Sequence, residues 1–234
     1  MTPKPGNGDE GEAAARGAVF DLDGTLVDNM RYHGEAWVRL ARRLGSGATR
    51  EQFERDWAGR KSDEILPILL GRPATPEEIA RLSEEKEADY RASYRPRVAP
   101  LRGLLAFLGA LRRARYRLAL ATAAPPANRA LVLEALHLAS AFDATAGPEH
   151  AVRGKPSPDL FLAAASLLGV PPERCVAFED AANGVRGARA AGMEVVGIAT
   201  SEPPAELLAA GARFAAADYE SLPASCRSWL GLAP

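Results

Sequence analysis

The sequence predicts an α/β protein: a parallel sheet wrapped by helices on both faces, with an all-α helical cap inserted after the first strand. Two observations carry this. After Pro100, short apolar runs alternate with helical patterns, which is how parallel strands joined by crossover helices read. Between the first strand and that alternating part, residues 32–94 are rich in charge, helical in texture and hold no strand-like run. The 234 residues suffice for a sizeable core and a small second unit. The expected division is a leader over 1–15, a core over 16–29 plus 98–234, and a cap over 30–97.

Taken in order, the first fifteen residues are polar, acidic and glycine-rich, without an apolar stretch of signal-peptide type, and are expected to be a disordered lead-in. Ala18–Phe20 is the first strand. In the cap, Ala36, Trp37, Leu40, Ala41 and Leu44 recur at helical spacing, which assigns Trp37 to a cap core. Thr75-Pro76-Glu77-Glu78 is a helix start. Thr75 caps it, Pro76 occupies the first turn, and Glu78 closes a capping box; the helix is expected to reach Tyr90. Pro96 and Pro100 mark the return to the core. Helices are then predicted at 104–114, 128–137, 159–168, 183–191 and 205–210. Strands are predicted at 117–121, 142–145, 175–178, 194–198 and 213–215. Asn128 reads as the cap of its helix, and Gly169 and Gly192 as helix stops.

A net charge of −1 provides no basic field for nucleic acid or an anionic membrane. No apolar stretch approaches a membrane span. The two cysteines, Cys175 and Cys226, fit no metal-ligand spacing, and a disulfide framework is not expected. This suits a reducing, cytoplasmic compartment.

In open parallel sheets, ligands bind beyond the carboxyl ends of the strands. The polar residues that follow each predicted strand are therefore the candidates. Strand one delivers Asp21 and Asp23, i and i+2 of an extended segment, aimed the same way before Gly24. The 117–121 strand delivers Thr122, the loop after 142–145 delivers Lys155, and the 175–178 strand delivers Glu179 and Asp180. Four acids on one rim need a hard cation, and Mg²⁺ prefers such oxygens. A lysine offsets further charge and can hold a phosphoryl oxygen. One acid is then free to attack phosphorus while another carries a proton. Each residue alone has a plainer reading, as a strand-end hydroxyl, a surface lysine or a helix cap; their joint placement after four separate strands does not.

These residues resemble the four motifs of the haloacid dehalogenase (HAD) superfamily hydrolases. More narrowly, the chain is similar to β-phosphoglucomutase-like sugar phosphatases with a helical cap. The match is carried by Asp21-Leu22-Asp23-Gly24-Thr25, by Thr122, by Lys155, and by Glu179-Asp180 within Phe178-Glu179-Asp180-Ala181-Ala182-Asn183-Gly184-Val185. The resemblance implies a Rossmann-like core of the HAD fold and a Mg²⁺ cofactor. It implies Asp21 as nucleophile and metal ligand, and Asp23 as general acid/base with its carbonyl on the metal. Thr122 and Lys155 would bind the phosphoryl group, and Asp180, with Glu179 beside it, would complete the metal site. Dehalogenating relatives lack an acid at the position of Asp23, which favours phosphoryl transfer.

In the cap, His33 stands where similar phosphosugar enzymes link closure to the acid/base group; alone it reads equally as a surface histidine. Arg60 and Lys61 occupy the place of the family's specificity loop. Ser62 stands where such mutases carry an arginine, which counts against a mutase. Lys86 falls where relatives carry a site-facing lysine, and reads equally as an exposed helix lysine. The expected activity is hydrolysis of a small phosphate ester, a sugar phosphate, by a monomer. The alternatives are a β-phosphoglucomutase-type mutase and a non-catalytic phospho-acceptor or sugar-phosphate-binding module.

Overall fold

The computed structural model describes residues 15–53, 57 and 62–233. Among them, six strands form one parallel sheet: β1 Arg16–Phe20, β2 Tyr116–Ala121, β3 Ala144–Ala146, β4 Cys175–Glu179, β5 Glu194–Ile198 and β6 Phe214–Ala216. Their spatial order is β3-β2-β1-β4-β5-β6. The chain direction across the sheet therefore reverses at β1, which lies between β2 and β4. That switch point is where an open α/β sheet leaves a crevice beyond its carboxyl ends. The rim residues Asp21 to Asp180 predicted from the sequence all follow strands that end there.

The strands are apolar on both faces because helices cover both. On one face Phe20, Leu118, Leu120 and Phe178 pack with Leu104 and Phe107 of α5 (Leu104–Arg113) and Val132 of α6 (Pro126–Ala135). Phe20 and Phe178 stack at 4.4 Å between centroids, each burial worth roughly 1.5–3 kcal/mol. On the other face the strands present small residues, Ala119, Ala121 and Ala177. These meet Phe161 and Ala164 of α7 (Asp159–Leu168) and Val185 and Ala188 of α8 (Ala182–Ala190). Cys175 and Cys226 are buried free thiols.

The cap comprises α1 (Met30–Arg43), α2 (Arg50–Gln52), α3 (Ser62–Leu70) and α4 (Pro76–Tyr94), inserted between β1 and β2. It has a core of its own, in which Trp37 packs with Leu40, Phe53, Ile65, Leu66 and Leu82. The expected capping box on Thr75 and Glu78 is present. The helix it opens continues one turn past Tyr90, because Tyr94 is buried beside Tyr32, with ring centroids 4.8 Å apart. Tyr32, Tyr90 and Tyr94 belong to the core of the sheet face, so the end of α4 joins the cap to the main body.

The expected strand 142–145 begins later, at Ala144. Asp143 precedes it: its N–H already donates to the Leu118 carbonyl at 2.7 Å, while its side-chain Oδ2 accepts from the Leu118 N–H at 2.7 Å and from Arg112 at 2.6 Å. The helix expected over 128–137 spans 126–135, because Pro126 opens it at the first position and His137 turns to positive φ. α9 (Pro204–Ala209) and β6 fall within a residue of expectation. Three helices had no forecast of their own, the three-residue α2 among them. α3 carries Pro67 in its interior, and α10 (Ala224–Trp229) is a six-residue segment held by the burial of Cys226. Among the described residues, no helix is long and apolar enough to cross a membrane.

Candidate active site

The ladder that builds β1 also delivers the first acid. Phe20 pairs with Leu120 on one side and Phe178 on the other. The Asp21 N–H then donates to the Phe178 carbonyl at 3.0 Å, one step beyond the strand. Asp21, Thr122, Glu179 and Asp180 thus leave adjacent strands at one edge, and all four are buried. The chain turns at once after Asp21: Leu26 donates to the Leu22 carbonyl at 2.9 Å, and Gly24 takes φ +76°. A Cβ on Gly24 would overlap the Asp180 carboxylate, so glycine is required for both conformation and space.

Lys155 holds the acids together. Its Nζ donates to Asp21 Oδ1 at 2.7 Å and to Glu179 Oε1. The Lys155–Pro156 peptide bond is cis. Glu179 Oε2 accepts from the N–H groups of Asp180 and Ala181, at 3.0 and 3.4 Å. Asp180 accepts from the hydroxyls of Ser201 and, at 3.5 Å, Thr25. Carboxylate oxygens of Asp21, Glu179 and Asp180 lie within 4.8 Å of one another.

Burial is the largest influence on two of these acids. It pushes Asp21 up to about 7, with Lys155 opposing and Glu179 and Asp23 adding. It pushes Asp180 well above the usual carboxylate range, with Glu179 and Asp21 adding. Among the described residues, Lys155 is the one cation bonded to this cluster, and its ammonium is held upward by the acids against its own burial. Three buried carboxylates with one ammonium leave negative charge uncompensated. An all-oxygen donor set of that charge fits a hard divalent cation such as Mg²⁺.

Asp23 stands apart from the cluster. Its Oδ1 accepts from Asn29 Nδ2 at 2.6 Å, and its Oδ2 faces His33 Nε2 at 3.7 Å. Burial opposes ionisation there, but His33, Asn29 and Lys86 outweigh it and hold Asp23 below its ordinary value. Asn29 has the residue type of a helix cap and begins α1, yet its amide does not cap the helix. Its Oδ1 accepts from the Gly24 N–H at 3.1 Å, while Nδ2 also donates to the Tyr90 hydroxyl at 2.7 Å.

The cap side reaches this second acid through buried side chains. Lys86 Nζ donates to His33 Nδ1 at 2.8 Å and to Glu87 Oε1 at 2.8 Å. An ammonium has no acceptor, so Nδ1 must accept, and neutral His33 carries its proton on Nε2, toward Asp23. Lys86 is 3% exposed, which ends the reading of an exposed helix lysine, and His33 is likewise buried. His33 faces Asp23, and Lys86 stands behind His33. Arg60 and Lys61 lie outside the described residues.

Thr122 takes an N–H from Ala124 onto its hydroxyl oxygen at 3.0 Å, leaving its own proton to donate. Asn128 does not cap α6. It is fully buried within the helix, donating to Glu87 Oε2 at 2.7 Å and accepting from Arg91 at 3.0 Å. Sequence reasoning also passed over Ser201 and the role of Asn29. Asn29 carried a signal in its position between the first motif and the cap; Ser201 carried none.

Comparison with known proteins agrees with this geometry. The profile of the haloacid dehalogenase-like hydrolase family matches residues 15–192. The chain is 31% identical over 195 residues to a β-phosphoglucomutase of Bacillus subtilis, covering 80% of this chain and 85% of that protein. It is 31% identical over 176 residues to a phosphorylated carbohydrates phosphatase of Thermotoga maritima, covering 75% and 81%. A family IA HAD hydrolase structure from Entamoeba histolytica superposes with a TM-score of 0.84 at 26% identity, over 92% of this chain and 98% of that one. A switch-point crevice lined by these acids, with a helical cap after the first of them, accounts for each match, and the chain belongs to the haloacid dehalogenase-like hydrolases, in the branch of the β-phosphoglucomutases and sugar phosphatases.

Proposed function

We propose that this phosphoric monoester hydrolase removes phosphate from a small phosphorylated carbohydrate, with Mg²⁺ as cofactor and Asp21 as nucleophile. The observation that carries the reading is the split between two carboxylates one residue apart. Asp21 is bonded to Lys155 inside the acid cluster, while Asp23 has a separate set of partners in Asn29 and His33. Two acids in different surroundings are what a nucleophile and a proton carrier need.

In this reading an Asp21 oxygen attacks phosphorus and the bond to the sugar oxygen breaks. Asp23, which rests ionised between Asn29 and His33, takes up a proton from solvent as substrate binds and delivers it to the departing oxygen. Asp23 then takes a proton from water as that water attacks the aspartyl phosphate, releasing phosphate and restoring Asp21. Lys155 and the Thr122 hydroxyl hold phosphoryl oxygens. Asp21, Asp180 and Glu179, with the Asp23 carbonyl, would hold Mg²⁺, which supplies charge neutralisation for the transferring phosphoryl group. His33 and Lys86 orient Asp23 from the cap, and Arg60 and Lys61 are proposed contacts to the rest of the substrate. The carbohydrate class is taken from the Thermotoga relative.

The Bacillus relative supports a second reading, a phosphohexose mutase, in which a sugar hydroxyl accepts the phosphoryl group. One experiment separates the two. Phosphate release is measured across sugar phosphates with and without Mg²⁺, with Asp21→Asn as blank. Selective Mg²⁺-dependent release absent from the variant supports the phosphatase. No release, but isomerisation of β-glucose 1-phosphate with a bisphosphate primer, supports the mutase. Stable phosphate on Asp21 without either activity would favour a binding module.

A further inference from the structure

We infer that the loop after β5, Thr200 to Glu202, is a positioning element that sets the Asp180 carboxylate and the Gly24 turn relative to each other for cation binding. This rests on the proposed role of Asp180 as a metal ligand. Three consecutive residues supply three tethers. Thr200 Oγ1 donates to the Gly24 carbonyl at 2.5 Å, Ser201 Oγ donates to Asp180 Oδ2, and Glu202 Oε2 accepts from the Ala182 N–H at 3.0 Å. In the sheet, β5 pairs with β4 and β6 and not with β1. The loop must therefore pass across the end of β4 to reach the turn that follows β1.

The tethers act on two groups that have to fit together closely. Gly24 approaches Asp180 so nearly that no Cβ fits between them, and a Cβ there would also stand 3.1 Å from Ser201 Oγ. The loop itself is anchored from behind, where the Ala199 N–H donates to the Ala216 carbonyl at 2.8 Å and the Thr200 N–H to Ile198 at 2.9 Å. The Ser201 hydroxyl on Oδ2 fixes the plane of the carboxylate, and Oδ1, which meets only the long 3.5 Å contact from Thr25, keeps a lone pair for a cation. Such outer partners commonly govern metal affinity as much as the ligands themselves. Lys155 bonds to Asp21 and Glu179, whereas Ser201 and Thr25 hold Asp180, so the loop serves the acid that the lysine's hydrogen bonds do not reach. None of the three tethers falls on Asp21, which makes these positioning residues and not catalytic ones.

Ser201 is exposed, so truncating it opens no cavity. The test is Mg²⁺ titration by calorimetry on the full chain, for wild type, Ser201→Ala, Ser201→Thr and Thr200→Val. Each protein is also melted in EDTA. Ser201→Ala is expected to weaken Mg²⁺ about tenfold. Ser201→Thr, which keeps the hydroxyl, should stay within about threefold of wild type, and Thr200→Val should weaken binding in the same direction. Metal-free melting temperatures should be little changed, since the tethers serve the site more than the core. Equal Mg²⁺ affinity in wild type and Ser201→Ala would overturn the inference while leaving the metal site intact. Loss of metal-free stability with equal affinity would show a purely structural loop. Absence of Mg²⁺ binding by wild type would overturn both this inference and the metal reading beneath it.

Discussion

Gly184 lies so close to the side chain of Glu179 that a Cβ on it would overlap the carboxyl group. Gly184 is in the first turn of α8, where alanine would ordinarily stabilise the helix by about 1 kcal/mol. Here the sign should reverse, because the added methyl must push Glu179 away from Lys155 or push α8 off the sheet. Gly184→Ala is expected to lose about 1–3 kcal/mol of stability and most of its phosphatase activity. Thermal melting and steady-state kinetics read both quantities, and a variant as stable and active as wild type would refute the constraint.

Asn29 ties the first motif to the cap. Replacing it by alanine removes the donor to Asp23, the acceptor for the Gly24 N–H and the partner of the Tyr90 hydroxyl. Because Asn29 orients the acid proposed to carry the proton, kcat should fall roughly 10–100-fold with KM little changed, less than losing general acid–base catalysis outright. Asn29→Asp still accepts from Gly24 but sets a second carboxylate beside Asp23, so it should not rescue the rate. A fall in kcat/KM that came entirely from KM would assign Asn29 to substrate binding instead.

The acid cluster also makes metal-free stability depend on pH. Asp21 is raised from 3.8 in its ordinary state to about 7 in the fold, chiefly by burial. Between those values the folded chain retains a proton that the unfolded chain has released. Stability from this group is therefore greatest below about pH 4 and declines as pH rises toward 7. Asp180 is shifted in the same direction. In EDTA, Asp21→Asn should gain on wild type across that window, reaching on the order of 1 kcal/mol, or about 2–4 °C, at pH 8. Saturating Mg²⁺ should raise wild type by about 2.7 kcal/mol at a hundred times its Kd and raise the variant less. A pH-independent difference in melting temperature would remove Asp21 from the charge-strained cluster.

Much of this site was legible in the chain because its main residues follow short apolar strands directly. Asp21, Thr122, Glu179 and Asp180 stand one or two positions past a run that can only be a buried strand, so parallel topology alone gathers them. Lys155 was legible through the motif it sits in. The partners that arrive sideways were not. Ser201 reaches Asp180 from the loop of the neighbouring strand, and Asn128 spends its amide on the cap instead of its own helix, choices made by tertiary packing. The same holds for Lys86: its spacing on α4 allowed either face, and only the packing of α1 against α4 buries it against His33. The late start of β3 has a similar cause, since the Leu118 N–H is taken by the Asp143 carboxylate, which also holds Arg112.

Asn128 joins the cap to the core through two opposed bonds, donating to Glu87 and accepting from Arg91, both on α4. Its amide is fully buried, and truncation leaves a half-buried carboxylate oxygen and guanidinium without this partner. Glu87 keeps Lys86 and Arg91 keeps Glu84, so the loss is partial. Asn128→Ala should cost about 1–3 kcal/mol in denaturant unfolding. A double-mutant cycle with Arg91→Ala should show a coupling of at least about 0.5 kcal/mol. If the join also holds the cap over the site, substrate KM rises in Asn128→Ala while Mg²⁺ affinity stays at the wild-type value, because Asn128 makes no bond to the acid cluster. Additive single and double variants would show that the pair of bonds contributes nothing to holding the cap, and a change in Mg²⁺ affinity would place Asn128 within the metal site's support.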